Sequence, residues 1–118
     1  MKGIEWMPRP RKQRIIQAHP VANYFKPQGI PLRGLEEVIL PIEGLEALRL
    51  ADVEGMEHAQ AADLMGVSRP TFSRLLAEAR RTVASALVRG LALRIQGGTF
   101  AMAPRPGGRQ RHRGGRGW

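Results

Sequence analysis

Apolar residues recur at steps of three and four positions through residues 42–89, which is the period of an amphipathic α-helix. Three segments share this pattern, and each has its own set of inward positions. They are Ile42, Leu45, Leu48 and Ala51; then Ala61, Ala62 and Met65; then Phe72, Leu75, Leu76, Ala79, Val83, Ala86 and Leu87. The pattern predicts three helices, at 42–54, 57–65 and 68–89, the last of about five turns or more. The polar face of the first helix carries Glu43, Glu46, Arg49 and Glu54.

A sharp turn is predicted between the second and third helices. Gly66 tolerates the left-handed backbone found just past a helix end, and Ser68 is a good N-cap for the helix that follows. Ala62 lies four residues before Gly66, where two steeply crossing helices leave space only for a small side chain. This layout is typical of a helix-turn-helix, whose second helix enters the DNA major groove. The alternative is a plain helical hairpin that binds nothing.

The segments outside the helices predict little regular structure. Glu37–Leu40 is a short run favourable to a strand, and Leu91–Ile95 is a second. The second run has two candidate partners, residues 38–40 or a hairpin with residues 99–102. Prolines and glycines interrupt residues 15–35, so we expect an ordered loop there, with Tyr24 and Phe25 anchoring it to the core.

The predicted fold is therefore mainly α: a helix-turn-helix domain at 15–98 with three helices, the last one long, and one or two short β-strands. A disordered basic arm is expected at 1–14, and a disordered tail rich in arginine and glycine at 99–118. We also expect Met7 to be the native start, or residues 1–6 to be dispensable.

The charge of the chain is unevenly distributed. The net charge is +9, and both ends are basic, with five basic residues in 1–14 and five arginines in 104–118. Residues 15–63 hold three basic and eight acidic residues, whereas residues 64–103 hold six basic residues and only one acid, Glu78. The third helix thus lies in the positive half, an arrangement that suits a polyanionic partner.

The candidate DNA-contacting residues lie on the third helix and in the arm. Ser68, Arg69, Thr71, Ser73 and Arg74 are predicted to face outward on the first turns of that helix, where they would meet bases or phosphates. Farther along, Arg80 and Arg81 would touch the DNA backbone. In the arm, Arg9, Arg11 and Lys12 would lie along a groove, although a solvated arm is the commoner case.

Other classes of function have less support in the sequence. Cysteine is absent, and His19, His58 and His112 have no second ligand at metal spacing, so neither a cofactor nor a metal is expected. No pair of carboxylates suggests catalysis, and we do not expect an enzyme. The chain has no apolar run long enough for a membrane span, so a cytoplasmic protein without membrane contact is the default.

Three blocks of the chain resemble a protein family. They are Arg9-Pro10-Arg11-Lys12, the segment YFKPQGIPLRGLEEVIL, and the long segment LEALRLADVEGMEHAQAADLMGVSRPTFSRLLAEARRTVASALVRGLALRIQGG. The family is an uncharacterised group of small bacterial and archaeal proteins thought to bind DNA. The segment GVSRPTFSRLLAEAR is also similar to the helix-turn-helix of sigma factor region four. The resemblance implies a DNA-binding role and gives no target sequence.

The leading hypothesis is a sequence-specific DNA-binding protein that regulates transcription. Two alternatives remain: a non-specific RNA- or nucleoid-binding protein that uses its basic tails, and an adaptor that docks on RNA polymerase. A homodimer is favoured modestly, because the apolar face of the third helix extends beyond the predicted motif. The rival is that the two predicted strands fold back within one chain and cover the same face.

Overall fold

The three predicted helices all form, and the long third helix connects the other parts of the domain. The computed structural model describes residues 13–104, with five short strands beside the helices. In chain order the elements are β1 (Arg14–Ile16), β2 (Tyr24–Phe25), β3 (Glu37–Leu40), α1 (Ile42–Leu48), α2 (His58–Met65), α3 (Arg69–Arg89), β4 (Ala92–Ile95) and β5 (Phe100–Met102). Within the described residues, no helix is both long and apolar enough to cross a membrane.

The first predicted helix changes its winding part-way. It is α-helical over Ile42–Leu48 and continues as a π-helical turn over Arg49–Val53, where the Glu54 amide donates to the Arg49 carbonyl at 2.9 Å. The wider turn brings Leu50 into the core, and Leu50 is fully buried there. Gly55, with a positive φ of 71°, then turns the chain toward α2.

The predicted polar face of α1 was wrong at two positions. Glu43 and Glu46 are buried, with only 4% and 5% of their surface exposed. The cause is that their carboxylates accept backbone hydrogen bonds from distant segments: Glu43 from the Thr99 amide and Glu46 from the Gln17 amide, both at 3.1 Å. Arg49 adds two bonds of 2.9 Å to Glu46. A buried carboxylate is tolerated when such donors replace its water, which holds for Glu46 and for Oε2 of Glu43, whereas Oε1 of Glu43 has no hydrogen-bond partner among the described residues.

The main core forms where α1, α2 and α3 meet. Its fully buried members are apolar residues of all three helices and of the π-helical turn. They are Ala47, Leu50, Ala61, Ala62, Met65, Phe72 and Leu76. The predicted inward residues of α2 and of the first half of α3 are therefore confirmed, with Leu75 half-buried beside them.

A three-stranded sheet covers the second half of α3. Strand β4 lies in the middle, parallel to β3 and antiparallel to β2. The predicted pairing of the two strand segments is confirmed, and the hairpin alternative is wrong. Leu40, Ala79 and Ile95 form a second buried cluster, with Val83 packed against it. This sheet also buries Ala86, but Leu87 stays 79% exposed, so its predicted inward position is wrong.

The fold continues beyond the domain end expected at residue 98. Strands β1 and β5 pair in parallel, with Ile15 opposite Ala101, and they form a separate two-stranded sheet. Ile16 of this sheet is completely buried. Residues 99–104 therefore belong to the folded domain rather than to the tail, and Arg14 belongs to β1 rather than to the arm. The remaining residues of the arm and of the tail, for which we expect disorder, lie outside the described residues.

The two aromatic residues of the first loop, Tyr24 and Phe25, lie in different environments. Tyr24 is half-buried and donates to Glu37 at 2.8 Å, and the Arg94 guanidinium lies 4.5 Å from the centre of its ring. Phe25 is 54% exposed and does not anchor the loop as expected. The loop from β1 to β3 is thus held by the β2 strand and by the Tyr24 side chain.

Candidate nucleic-acid interface

The turn between α2 and α3 has the backbone that its sequence predicts. Gly66 takes the left-handed conformation with φ of 68°, and the Val67 amide donates back to the Ala62 carbonyl at 3.0 Å. Ser68 caps α3, since its Oγ accepts from the Thr71 amide at 3.2 Å. The same hydroxyl donates to Thr71 Oγ1 at 2.9 Å. These bonds satisfy polar groups at the start of α3 and fix where that helix begins.

Packing fixes the angle at which α3 leaves the turn. Phe72 is fully buried, and the ring of His58 at the start of α2 lies edge-on to it, with 5.3 Å between ring centres. His58 Nδ1 also lies 3.2 Å from Ser73 Oγ. Ser73 was predicted to face outward, but it is half-buried and turned toward α2. The reason is that Ser73 follows Phe72 on the flank of α3 that His58 covers.

Three arginines in the first four turns of α3 face solvent without an ion pair among the described residues, as does Arg89 at the end of the helix. Arg69 is the first residue of the helix, and Arg74 and Arg81 lie two turns apart on its outer side. All three are exposed, and none forms an ion pair within the part of the chain that the structure describes. Arg74 Nη2 lies 3.5 Å from Thr71 Oγ1, so Thr71 sits beside it, half-buried. We call Arg69, Arg74 and Arg81 the arginine surface.

Arg80 has a different role from its neighbour Arg81. Its guanidinium donates to both carboxylate oxygens of Asp52, from Nη2 to Oδ1 at 2.6 Å and from Nε to Oδ2 at 3.1 Å. This pair joins α3 to the π-helical turn. The hydrogen bonds from Arg80 lower the pKa of Asp52, and the same bonds raise the pKa of Arg80. The Arg80 side chain is nevertheless 53% exposed, so its predicted contact with the DNA backbone stays a prediction.

Strand β1 lies against the turn between α2 and α3. The Cδ1 atom of Ile15 is 3.2 Å from the position that a Cβ would take on Gly66. Sequence reasoning missed this contact, because Ile15 gave only an isolated apolar signal. Arg9, Arg11 and Lys12 lie outside the described residues, but they precede β1 directly in the chain. Strand β1, which follows the arm in the chain, thus lies beside the turn that precedes α3.

The described residues offer few groups for chemistry on a small substrate. No cluster of three or more His, Asp or Glu side chains suited to a metal ion occurs among residues 13–104. The cleft of about 420 Å³ between the sheet and the end of α3 is lined almost entirely by apolar side chains. It lies at the end of α3 opposite to the capped turn. The arginine surface, which starts at the capped turn, carries cationic side chains that suit an anionic partner.

The chain matches the family described as protein of unknown function DUF134 over residues 5–103. A UPF0251 protein of Rhodospirillum rubrum is 58% identical over 98 residues, which cover 83% of this chain and 68% of the relative. A UPF0251 protein of Caldanaerobacter subterraneus is 52% identical over 94 residues, covering 80% of both chains. A UPF0251 protein of Dehalococcoides mccartyi is 55% identical over 100 residues, covering 85% of this chain and 86% of the relative.

These names state no activity, and no solved structure matches the chain. The resemblance to an uncharacterised family of small bacterial proteins is confirmed. The comparisons cover α1, α2, α3 and all five strands, because the matched residues extend to 103.

Proposed function

This chain belongs to the DUF134 family, and we propose that it is a sequence-specific DNA-binding protein that regulates transcription. In this proposal α2, the turn at Gly66 and α3 form a helix-turn-helix, and the first turns of α3 enter the major groove. The observation that carries the proposal is the arginine surface. Arg74 and Arg81 lie on the outer side of a helix whose opposite side is buried in the core, and Arg69 is the first residue of that helix.

The construction of the turn supports the first step. A recognition helix must be held at a fixed angle, because base edges are read by hydrogen bonds with strict geometry. Here three features fix the position of α3: the left-handed backbone at Gly66, the Ser68 cap and the buried side chain of Phe72. Ala62, with 2% of its surface exposed, allows the close approach of the two helices.

The charges support the second step. Arg69 and Arg74 lie within the first two turns of α3, where side chains of a recognition helix meet base edges. Arginine can donate two parallel hydrogen bonds to guanine, which is the commonest specific contact in the major groove. Arg81 is two turns farther from the groove and would bind phosphate, a contact that positions the protein without reading sequence.

The arm supplies a second contact in this proposal. Residues 9–12 lie outside the described residues, but they precede β1, which contacts the turn at Gly66. A basic segment next to a recognition helix can follow the adjacent minor groove. RNA polymerase as a partner remains a prediction from resemblance alone.

The test is fluorescence anisotropy of the full chain on a duplex DNA of mixed sequence, measured across a range of salt concentrations. Each phosphate contact contributes about 0.9 to the slope of log affinity against log salt. Arg81→Ala should lower the slope by about this amount, because Arg81 is proposed to bind phosphate, whereas Arg74 is proposed to contact bases. The matched control is Arg33→Ala, because Arg33 is an exposed arginine in the loop before β3.

A slope for Arg81→Ala equal to that of the wild type, with the variant folded as judged by circular dichroism, would overturn the assignment of the interface to α3. A decrease in slope with Arg33→Ala as large as that with Arg81→Ala would show that net charge alone drives binding. That outcome would favour the non-specific alternative, in which the basic tails bind RNA or bulk DNA.

A further inference from the structure

The last two turns of α3 leave an apolar surface that the other described residues do not cover. Leu87 and Val88 are 79% and 83% exposed, and Phe25 across the cleft is 54% exposed. The cleft between them has a volume of about 420 Å³. Its walls are the side chains of Phe25, Pro27, Val83, Leu87, Leu91 and Leu93. We call Leu87, Val88 and this cleft the terminal patch.

The folded sheet explains only part of the long apolar face. Strands β3 and β4 bury Ala86 and pack against Val83, so the intrachain cover foreseen as a rival to dimerisation does exist. It stops at that point, and the two residues that follow Ala86 remain in water. Two adjacent aliphatic side chains that are each more than three-quarters exposed, next to an apolar cleft, form a contiguous apolar surface of a kind that another chain can cover.

The terminal patch fits a second copy of itself. A two-fold interface uses the same surface on both partners, so that surface must carry a projection and a recess that match. Val88 and the exposed side of Leu87 project, and the cleft lies directly beside them. A small apolar ligand could fill the cleft, but it would leave Val88 exposed, since Val88 does not line the cleft.

The charges at the rim of the patch also suit self-association. Lys26 lines the cleft, and exposed Arg89 follows Val88. Exposed Glu36 lies at the other side, where its carbonyl accepts from the Ala92 amide at 2.8 Å, one residue after Leu91. Because the rim carries both positive and negative charges, the acidic side of each copy can lie against the basic side of the other.

We propose that the terminal patch is the interface of a homodimer, with Leu87 and Val88 of each copy packed into the cleft of the other. The position on α3 agrees with a paired DNA site, a point that rests on the proposed function. Thr71 lies sixteen residues before Leu87, about 24 Å along the helix. When two half-sites lie one helical turn of DNA apart, each recognition helix must lie about 17 Å from the two-fold axis. Two α3 helices that diverge from the terminal patch can reach this distance.

The test is sedimentation equilibrium of the full chain without DNA at micromolar concentration, where the proposal expects twice the monomer mass. Leu87→Asp combined with Val88→Asp should give a monomer, because two buried carboxylates would face the partner. The matched control is Val53→Asp, since Val53 is an aliphatic residue 76% exposed on the π-helical turn, away from the patch. It should remain dimeric.

Thermal unfolding by circular dichroism separates loss of the interface from loss of the fold. Both substituted positions are exposed, so unfolding of the double variant should keep the cooperativity of an intact domain. A wild-type monomer would overturn the proposal, whether residues 1–12 or 105–118 or a small apolar ligand covers the patch instead. A double variant that stays dimeric would also overturn it.

These results are independent of the proposed function. A monomer that binds DNA specifically would refute only the dimer. A dimer that fails to bind DNA would refute only the DNA-binding role.

Discussion

Arg80 and Asp52 form a two-bonded ion pair that joins α3 to the π-helical turn after α1. The adjacent Arg81 has no ion pair among the described residues and faces solvent. Two neighbouring arginines on one helix thus have separate roles, one in holding the domain together and one in the candidate interface. Substituting each arginine in turn removes the same charge but a different contact, so the two roles can be told apart.

Arg80→Ala should lower the free energy of unfolding by about 0.2–1 kcal/mol, the usual range for a solvent-exposed pair. Arg81→Ala should leave the free energy of unfolding unchanged within error, because its side chain makes no such contact. Urea denaturation of both variants measures the difference. The two variants remove the same charge, so equal stability would contradict the structural role of the Arg80–Asp52 pair.

Acid should weaken the fold through two carboxylates. Hydrogen bonds from Arg80 lower the pKa of Asp52 below its ordinary 3.8, and those from Arg94 and then Tyr24 lower the pKa of Glu37 below its ordinary 4.5. A group whose pKa is lowered in the folded state stabilises the fold above its ordinary pKa. That stabilisation is lost as the pH falls through the lowered value. The free energy of unfolding should therefore decrease as the pH falls below 4.5 and 3.8 in turn.

The double variant Asp52→Asn, Glu37→Gln isolates these two groups. It should be less stable than the wild type at neutral pH and should lose less stability on acidification. Urea midpoints across the acid range supply the comparison. Parallel curves for the two proteins would mean that other carboxylates account for the whole effect.

Gly98 should tolerate no side chain. Its φ is 108°, and a Cβ there would collide with the buried carboxylate of Glu43. Gly97 also has a positive φ, of 73°, but a Cβ there meets no atom within 4 Å. Gly97→Ala should cost about 1–2 kcal/mol for the left-handed backbone alone. Gly98→Ala should cost clearly more, because Glu43 would lose its bond from Thr99 as well.

Chemical denaturation of the two glycine variants measures this difference. Equal losses would mean that the Glu43 carboxylate does not hold the segment before β5. The extension of the domain past residue 98 would then lack its main polar contact.

Features that depend on neighbouring residues were predictable from the sequence, and features that depend on distant residues were not. The helices and the turn were predictable, because periodicity, the Ser68 cap and the glycines at 66 and 90 act within a few residues. The outward position of Arg69, Arg74 and Arg81 followed from the same periodicity. The inward position of Leu87 did not hold, since periodicity cannot show where the covering sheet ends.

The burial of Glu43 and Glu46 could not be predicted, because it depends on residues far away in the sequence. Glu46 bonds to a residue 29 positions away, and Glu43 to one 56 positions away. In a sequence, a glutamate bound to a distant amide is indistinguishable from a solvated one. Strands β1 and β5 are only three residues long, so they hold too few alternations to give a periodic signal. The partner of Arg80 was hidden in the same way, 28 residues earlier.

The basic tail should contribute affinity without sequence preference. Removing residues 105–118 deletes five arginines and leaves every described element of the fold in place. Affinity for mixed-sequence DNA and the salt dependence of binding should both decrease. The preferred DNA sequence should stay the same. A changed preference, measured by competition between duplexes, would show that the tail reads bases itself.

The central claim is that the first turns of α3 read a DNA sequence. Selection of bound duplexes from a random pool tests it most directly, with the full chain and the Arg69→Ala, Arg74→Ala variant run in parallel at physiological salt. The wild type should enrich a defined motif, and the variant should lose it, since each arginine is expected to supply about 1–3 kcal/mol of specific binding. If the wild type enriches no motif, or if the variant enriches the same motif equally well, α3 is not a sequence-reading helix.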